Sequence, residues 1–411
     1  MSLTMHIYNK KGASYEGFDV SEIVHDIEYT TSILGQAGKL SFIVEKDPNE
    51  ILQIGVGSLV KFWHSDNENE PEKPIFMGNV FTIGTDRTEA YRIVAYDQTR
   101  YLQNHENYVI GDFENDLQYY FHAICDEYFP NSENPPKIVN WDKYIKVMAK
   151  IRGENFVDVS AFDILQFCMD DFAISNVLKI NSTNFNMVAG EVNGKTIKQT
   201  NFHPKFYIRD NFGTLELREI FTDFIYDDNG DERKEFLVIG DESLLTDYQY
   251  EIDIDKDTYN EFYIMCNEKK TNSTSSDTNK QNNKTLILAL QAGTLISGTN
   301  TTLDGKTIGE NTIPDWGILR KIVTMNDSEI KGDAINYIKE LVELYNQPTR
   351  SLKLSALGLD GVFAGSSFIF SLNKLKIKYP VYVISATHYY NGDSHKMDLQ
   401  INSNPTMGVM L

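Results

Sequence analysis

Two stretches of this 411-residue chain carry the same kind of strand pattern, and that pattern restricts the fold more than any other feature. Near the end, Leu352-Lys353-Leu354-Ser355-Ala356-Leu357 alternates apolar and polar side chains, then turns at Gly358 and Asp360-Gly361. Gly365-Ser366-Ser367-Phe368-Ile369-Phe370, Pro380-Val381-Tyr382-Val383-Ile384-Ser385-Ala386 and His395-Lys396-Met397-Asp398-Leu399-Gln400-Ile401 follow. Short β-branched and aromatic runs parted by Gly, Asn and Asp predict antiparallel strands. Near the start, Leu40-Ser41-Phe42-Ile43-Val44, Gly57-Ser58-Leu59-Val60-Lys61-Phe62, Pro74-Ile75-Phe76-Met77-Gly78-Asn79-Val80 and Tyr91-Arg92-Ile93-Val94-Ala95 do the same. Gly-Ser opens a strand in both stretches, and a proline (Pro74, Pro380) opens the next, where a missing N–H costs little. These marks fit an internal duplication and fit two unrelated meanders equally well.

Length and composition narrow the class. A chain of 411 residues exceeds one ordinary core, and a hydrophobic content of 41% with 12% aromatics is that of a folded, β-leaning protein. The net charge of −21 argues against binding a nucleic-acid backbone, which takes clustered Lys and Arg. Cys125, Cys168 and Cys266 are too far apart for a Cys-x-x-Cys metal pair or a disulfide framework. The first residues show no basic-then-apolar leader, and no run reaches the roughly 18 apolar residues of a membrane span.

In chain order, strands are expected near 4–8, 27–34, 39–45, 58–63, 73–82 and 91–96, with a polar hairpin loop at 66–71. Leu117, Tyr120, Phe121, Ile124 and Tyr128 then fall at helical spacing, ended by Pro130. A second helix is expected from Ser160, with Asp163 placed for a capping box. Further strands are expected at 201–209, 214–219, 236–239, 261–264 and 285–290. A polar loop covers 271–283, and a helix covers 333–345, ahead of Pro348. The fold class is therefore α+β, mainly β; that it holds two similar antiparallel β-barrel modules is what a resemblance to a known family implies. The expected domains are 1–103 (first module), 104–210 (a small α+β domain), 211–265 with 350–411 (second module), and 266–349 (inserted strands, loop and helix).

No constellation asks for catalysis. Asp227, Asn229 and Asp231 have the alternate spacing of a calcium loop, but Glu232 and Val238 stand where Gly and Glu belong. Asp253, Asp255 and Asp257 fail in the same way, so both read as acidic turns. His388 and His395 flank a turn at Asn391-Gly392 and are expected to form a cross-strand hydrogen-bonded pair rather than a metal site. No zinc helix pair, nucleophile elbow or phosphate loop is present. No catalytic, cofactor or metal residue is assigned.

Three stretches together carry a resemblance. They are Tyr91-Arg92-Ile93-Val94-Ala95-Tyr96-Asp97-Gln98-Thr99-Arg100-Tyr101-Leu102-Gln103-Asn104; Asp315-Trp316-Gly317-Ile318-Leu319-Arg320 with Asn346-Gln347-Pro348-Thr349-Arg350; and the Leu357–Gly365 turn with Ser385–Tyr390 and His395–Leu399. In this order the chain resembles the baseplate hub proteins of contractile phage tails, phage-tail-like bacteriocins and prophages. The polar loop at 271–283 and the connection at 181–200 depart from that pattern.

The resemblance implies a non-enzymatic homotrimer in which two barrel modules per subunit present six quasi-equivalent modules, matching a sixfold tail tube to a threefold central spike. It implies partners in the tube, spike, baseplate wedge and tape-measure proteins, with assembly in the bacterial cytoplasm and residence in an extracellular particle. No nucleic-acid partner and no membrane insertion are expected. Ring contacts are expected at module edges around Lys61, Phe62 and Trp63 and around Phe368, Ile369 and Phe370, with the basic cluster Lys374, Lys376 and Lys378 as a further contact or a solvated hairpin tip. The rival readings are a β-rich carbohydrate-binding module and a cell-wall hydrolase.

Overall fold

In the computed structural model the alternation at the start of the chain becomes seven strands: β1 (Ser2–Lys11), β2 (Ser14–Asp19), β3 (Val24–Ser32), β4 (Lys39–Val44), β5 (Leu59–Ser65), β6 (Lys73–Thr85) and β7 (Tyr91–Tyr96). The structure describes residues 2–11, 14–45, 54–67, 69–85, 87, 89–112, 114–129, 134–141, 150–175, 190–192, 195–197, 205–255, 258–267, 284–291, 294–298, 312–325, 342, 345–346, 348–374, 377–392 and 394–402. Every second side chain of β4 and β5 turns inward, so Leu40, Phe42, Val44, Val60 and Phe62 share one buried core with Met5 and Ile7 of β1. Removing each such side chain from water contributes about 1.5–3 kcal/mol.

A 3-10 turn, Gln98–Gln103, follows β7 because the Asp97 carboxylate accepts the Thr99 N–H at 3.0 Å. Then come β8 (His105–Ile110), α1 (Leu117–Tyr128), β9 (Lys137–Ile138), β10 (Glu154–Ser160), α2 (Ala161–Ser175), β11 (Gly190–Val192), β12 (Lys195–Ile197), β13 (Phe206–Asp210), β14 (Leu215–Glu219) and α3 (Ile220–Ile225). The helical spacing read from the sequence buries Leu117, Tyr120, Phe121 and Ile124 on α1. Ser160 caps α2 by accepting the Asp163 N–H at 3.1 Å, while its hydroxyl donates to the Asp163 carboxylate at 2.7 Å. The helices and β13–β14 share a second core that includes Leu165, Phe172, Leu217 and Phe224. The acidic turn is confirmed: Asp227 accepts the N–H groups of Asn229 and Asp231.

The second strand set is β15 (Val238–Gly240) and β16 (Leu245–Asp253). After an insertion, whose strands are β17 (Glu261–Asn267), β18 (Lys284–Gln291), β19 (Thr294–Gly298) and β20 (Arg320–Met325), it continues with β21 (Thr349–Leu357), β22 (Ser367–Leu372), β23 (Ile377–Asn391) and β24 (Ser394–Asn402). The chain divides into two compact units, one of Met1–Tyr250 with Leu352–Val409, the other of Glu251–Ser351. The smaller unit is a four-stranded sheet in the order β19-β18-β17-β20 with the one-turn helix α4 (Ile313–Trp316). Its buried clip is Asn260, which donates to Thr312 Oγ1 and the Gly317 carbonyl and accepts the Leu319 N–H. The polar loop expected at 271–283 lies outside the described residues, as does the helix expected at 333–345 apart from Val342 and Tyr345.

The large unit is built on a 15-stranded sheet whose main path runs β16-β21-β24-β23-β3-β4-β7-β6-β5-β1-β2, with β22 on β23 and β15 on β22. The first half therefore has the order β3-β4-β7-β6-β5-β1, and the second has β16-β21-β24-β23-β22-β15. Position by position along the chain the two orders are the same. The short β3–β4 link of the first half corresponds to the β16–β21 link of the second, and the smaller unit is inserted there. The members at the far ends differ in direction, β1 lying antiparallel to β5 and β15 parallel to β22. The fold is α+β and mainly β, and no pairing among the described residues joins the two ends of the sheet.

Candidate assembly interface

The equivalence of the halves extends to single hydrogen bonds. In Gly55-Val56-Gly57-Ser58 the Ser58 N–H donates to the Gly55 carbonyl at 3.1 Å, and the Ser58 hydroxyl accepts the Gly55 N–H at 3.1 Å. In Phe363-Ala364-Gly365-Ser366 the same two bonds form, at 2.9 and 2.9 Å. Gly57 and Gly365, third in their turns, have φ of +87° and +90°, which a side chain resists. Each turn then docks on the next long strand, since Gly57 N–H and Gly365 N–H donate to the carbonyls of Val80 and Val383, both at 2.8 Å. One residue later each long strand bulges against its neighbour, at Phe81 between β6 and β7 and at Ile384 between β23 and β24. The shared Gly-Ser thus marks equivalent positions. The shared proline does not: Pro380 pairs with Ile369, and the residue of the first half at that place is Met77, paired with Lys61.

Past the bulge the halves are used differently. Ser385–Tyr390 of β23 pair with Ile27–Ser32 of β3, which joins the second half to the first. This junction buries Ala386, His388 and Tyr390. The equivalent residues of β6, Thr82–Thr85, pair with β7 on one side only among the described residues. Phe81, Thr82 and Thr85 there are exposed. The strand equivalent to β3 is β16, which ends the sheet with its outer side unpaired among the described residues and Tyr248 38% exposed. One junction is closed inside the chain, and both parts of its counterpart are open among the described residues.

Beneath the closed junction lies a buried polar cluster to which both halves contribute. His64 Nδ1 meets both Asp360 carboxylate oxygens, at 2.9 and 3.0 Å. His395 Nδ1 meets Asp66 Oδ1 at 2.6 Å, and the second Asp66 oxygen accepts the Asp360 N–H. His388 Nδ1 lies 2.9 Å from His395 Nε2, so the cross-strand pair expected from the sequence forms. Its Nε2–H donates to the Val362 carbonyl at 2.6 Å, and burial pushes its pKa down to about 4. Gly358 is required beside this cluster, because a Cβ there would stand 2.1 Å from the His395 ring.

The contact residues expected from the sequence separate by face. Phe62, Phe368 and Phe370 are fully buried in the two β-cores, while Lys61, Trp63 and Ile369 are half-buried on the other face. Their placement on module edges is corrected: β5 lies between β6 and β1, and β22 between β23 and β15, so their backbones are paired on both sides. Lys374 and Lys378 are exposed beside the β22–β23 turn, and Lys376 is outside the described residues. The open edge on β16 was missed because its surroundings read as acidic turns. Its signal was Tyr248, Tyr250 and Ile252 alternating with Asp247, Gln249 and Glu251.

A sheet of two equivalent halves with an α+β body between them is a fold found in phage tail proteins. It matches the 43 kDa tail protein of prophage MuSo2 from Shewanella oneidensis over 97% of this chain and 98% of that one, with a TM-score of 0.54 and 8% identity. It matches a tail protein from Neisseria meningitidis MC58 over 99% and 98%, with a TM-score of 0.55 and 9% identity. The likeness to phage tail proteins read from the sequence thus holds for the fold. Among curated proteins none matches the sequence. The family model described as YQBQ-like matches residues 27–128, 160–287 and 302–402, and the chain belongs to that YQBQ-like family.

Proposed function

We propose that the chain is a structural baseplate hub of a contractile phage tail or tail-like particle, a homotrimer that fits the sixfold tail tube to the threefold central spike. The observation that carries this reading is the unequal use of two equivalent junctions. Inside one chain β3 pairs with the distal part of β23. Between chains, β16 of one copy pairs with Thr82–Thr85 of the next in the same manner. Such a contact is heterologous, and heterologous contacts generate rings when their rotation closes. With two junctions per chain, three chains give six equivalent steps. The ring completes the barrel-like modules that a single chain leaves as an open sheet, and it covers the strand edges that would otherwise invite nonspecific pairing.

Tube, spike, wedge and tape-measure proteins are the partners of this reading, through faces that include Lys61, Trp63 and Ile369 and the exposed Lys374 and Lys378. The chemistry is positional and needs no active site. Light scattering gives the mass, and amide exchange in dilute and concentrated samples tests the contact. The reading predicts a threefold mass, with exchange slowed at 82–85 and 245–250 on assembly. A chain that stays monomeric when concentrated refutes the trimer. A trimer that leaves both segments unprotected refutes the placement of its contacts.

A further inference from the structure

The cluster beneath the closed junction has the composition and spacing of a metal centre, and this inference does not depend on the oligomeric reading. Ligand atoms of His64, Asp66, Asp360 and His395 all lie within 4.8 Å of one another. Pair by pair, His64 Nδ1 is 2.9 Å from Asp360 Oδ2 and 3.8 Å from Asp66 Oδ1, and His395 Nδ1 is 2.6 Å from Asp66 Oδ1 and 3.8 Å from Asp360 Oδ1. These distances straddle the roughly 3.3–3.6 Å between ligands of a tetrahedral zinc ion whose bonds are about 2.0–2.2 Å. The side chains of His64, Asp360 and His395 are 3%, 1% and 1% exposed and that of Asp66 is 27% exposed, so one buried and one partly exposed carboxylate share a site whose charge a divalent cation would neutralise.

The hydrogen bonds behind His395 are compatible with a ligated imidazole. The chain Asp66–His395–His388–Val362 contains three hydrogen bonds, one more than the N–H protons of two neutral imidazoles, so it takes either an added proton on His395 or a cation on its Nδ1. With a cation on His395 Nδ1 in place of the first bond, the count closes: His395 Nε2–H donates to His388 Nδ1, and His388 Nε2–H donates to the Val362 carbonyl. This is the outer-shell support that orients a ligating imidazole. A separate observation is Tyr390, whose ring stacks on His395 at 4.2 Å and whose buried hydroxyl has no hydrogen-bond partner among the described residues.

We propose that His64, Asp66, Asp360 and His395 bind one divalent transition metal, zinc by ligand preference, and that this ion fastens the first β-half to the second. His64 and Asp66 come from the end of β5 and the residue after it, Asp360 and His395 from the β21–β22 loop and β24. The ion would therefore stabilise the fold without taking part in catalysis.

The test uses the full chain without a histidine tag, stripped with chelator and then titrated with Zn²⁺ and with Co²⁺. The expected result is one Zn²⁺ per chain, a raised unfolding temperature, and the intense visible absorption of tetrahedral Co²⁺. Asp66→Asn, at a partly exposed ligand, is expected to weaken Zn²⁺ binding by roughly 100-fold or more, since losing outer-shell partners alone costs about 10–100-fold. Stripped, folded chain that takes up no stoichiometric Zn²⁺, or that gives no tetrahedral Co²⁺ spectrum, overturns the proposal. Unchanged affinity in folded Asp66→Asn overturns it as well. Should that variant fail to fold, the Co²⁺ spectrum of the unaltered chain still decides.

Discussion

Alanine at the two equivalent glycines separates the backbone requirement of the repeated turn from its surroundings. Gly57 and Gly365 share the same conformation, with φ of +87° and +90°. Forcing an L-residue into left-handed backbone costs about 1–2 kcal/mol, and that part is common to both substitutions. The surroundings differ. A Cβ on Gly57 meets no described atom within 4 Å, whereas one on Gly365 would stand 2.2 Å from the Tyr207 ring. Tyr207 is buried, and its hydroxyl donates to Asp223 at 2.8 Å, so the ring cannot swing away freely. Overpacking of that kind adds about 1–3 kcal/mol. Gly57→Ala is thus expected to lose about 1–2 kcal/mol and Gly365→Ala roughly 2–5 kcal/mol, read from urea unfolding at matched slope. Equal losses at the two sites would refute the steric argument. No loss at Gly57 would refute the turn geometry on which the equivalence of the halves rests.

Glu219 caps α3 by accepting the N–H groups of Phe221 and Thr222, and burial pushes its pKa up to about 7. A carboxyl raised in the folded state stabilises at low pH and loses that contribution as pH rises. The stability gap between the parent chain and Glu219→Gln should therefore shrink by about 2 kcal/mol from roughly pH 5.5 to 8.5, by amide exchange in β14 and α3; parallel profiles would sink the assignment. Asn260→Ala removes three hydrogen bonds at a fully buried position and should destabilise the smaller unit by roughly 2–4 kcal/mol, accelerating exchange in β17 and β20. Phe62→Ala and Phe370→Ala should each cost about 3–5 kcal/mol, while Lys61→Ala stays within about 0.5 kcal/mol in unfolding assays. A large loss at Lys61 would contradict its outward placement.

Much of the architecture was legible because local patterns decide local elements. The alternation at 40–44 and 58–62, the helical spacing from Leu117 to Ile124 and the Ser160 cap needed no long-range information. The Gly-Ser pair did mark equivalent positions, because the left-handed third residue of the turn favours glycine in both halves. The proline was a false one, since proline at a strand opening is cheap in any sheet. Edges were illegible for a physical reason: whether β5 or β16 ends a sheet depends on which distant strand covers it. The polar cluster was illegible in the same way, with His64 and Asp360 separated by 296 positions and joined only by folding. His388 and His395 could be paired in advance because one hairpin turn brings them together.

Two equivalent halves in each chain are proposed to become six equivalent positions in a ring. Class averages of the purified, concentrated chain by electron microscopy show whether they do. Threefold rings whose inner wall shows six similar lobes are expected, with β16 of each copy against the distal part of β6 of the next. Single particles, twofold dimers or open filaments would contradict the proposal.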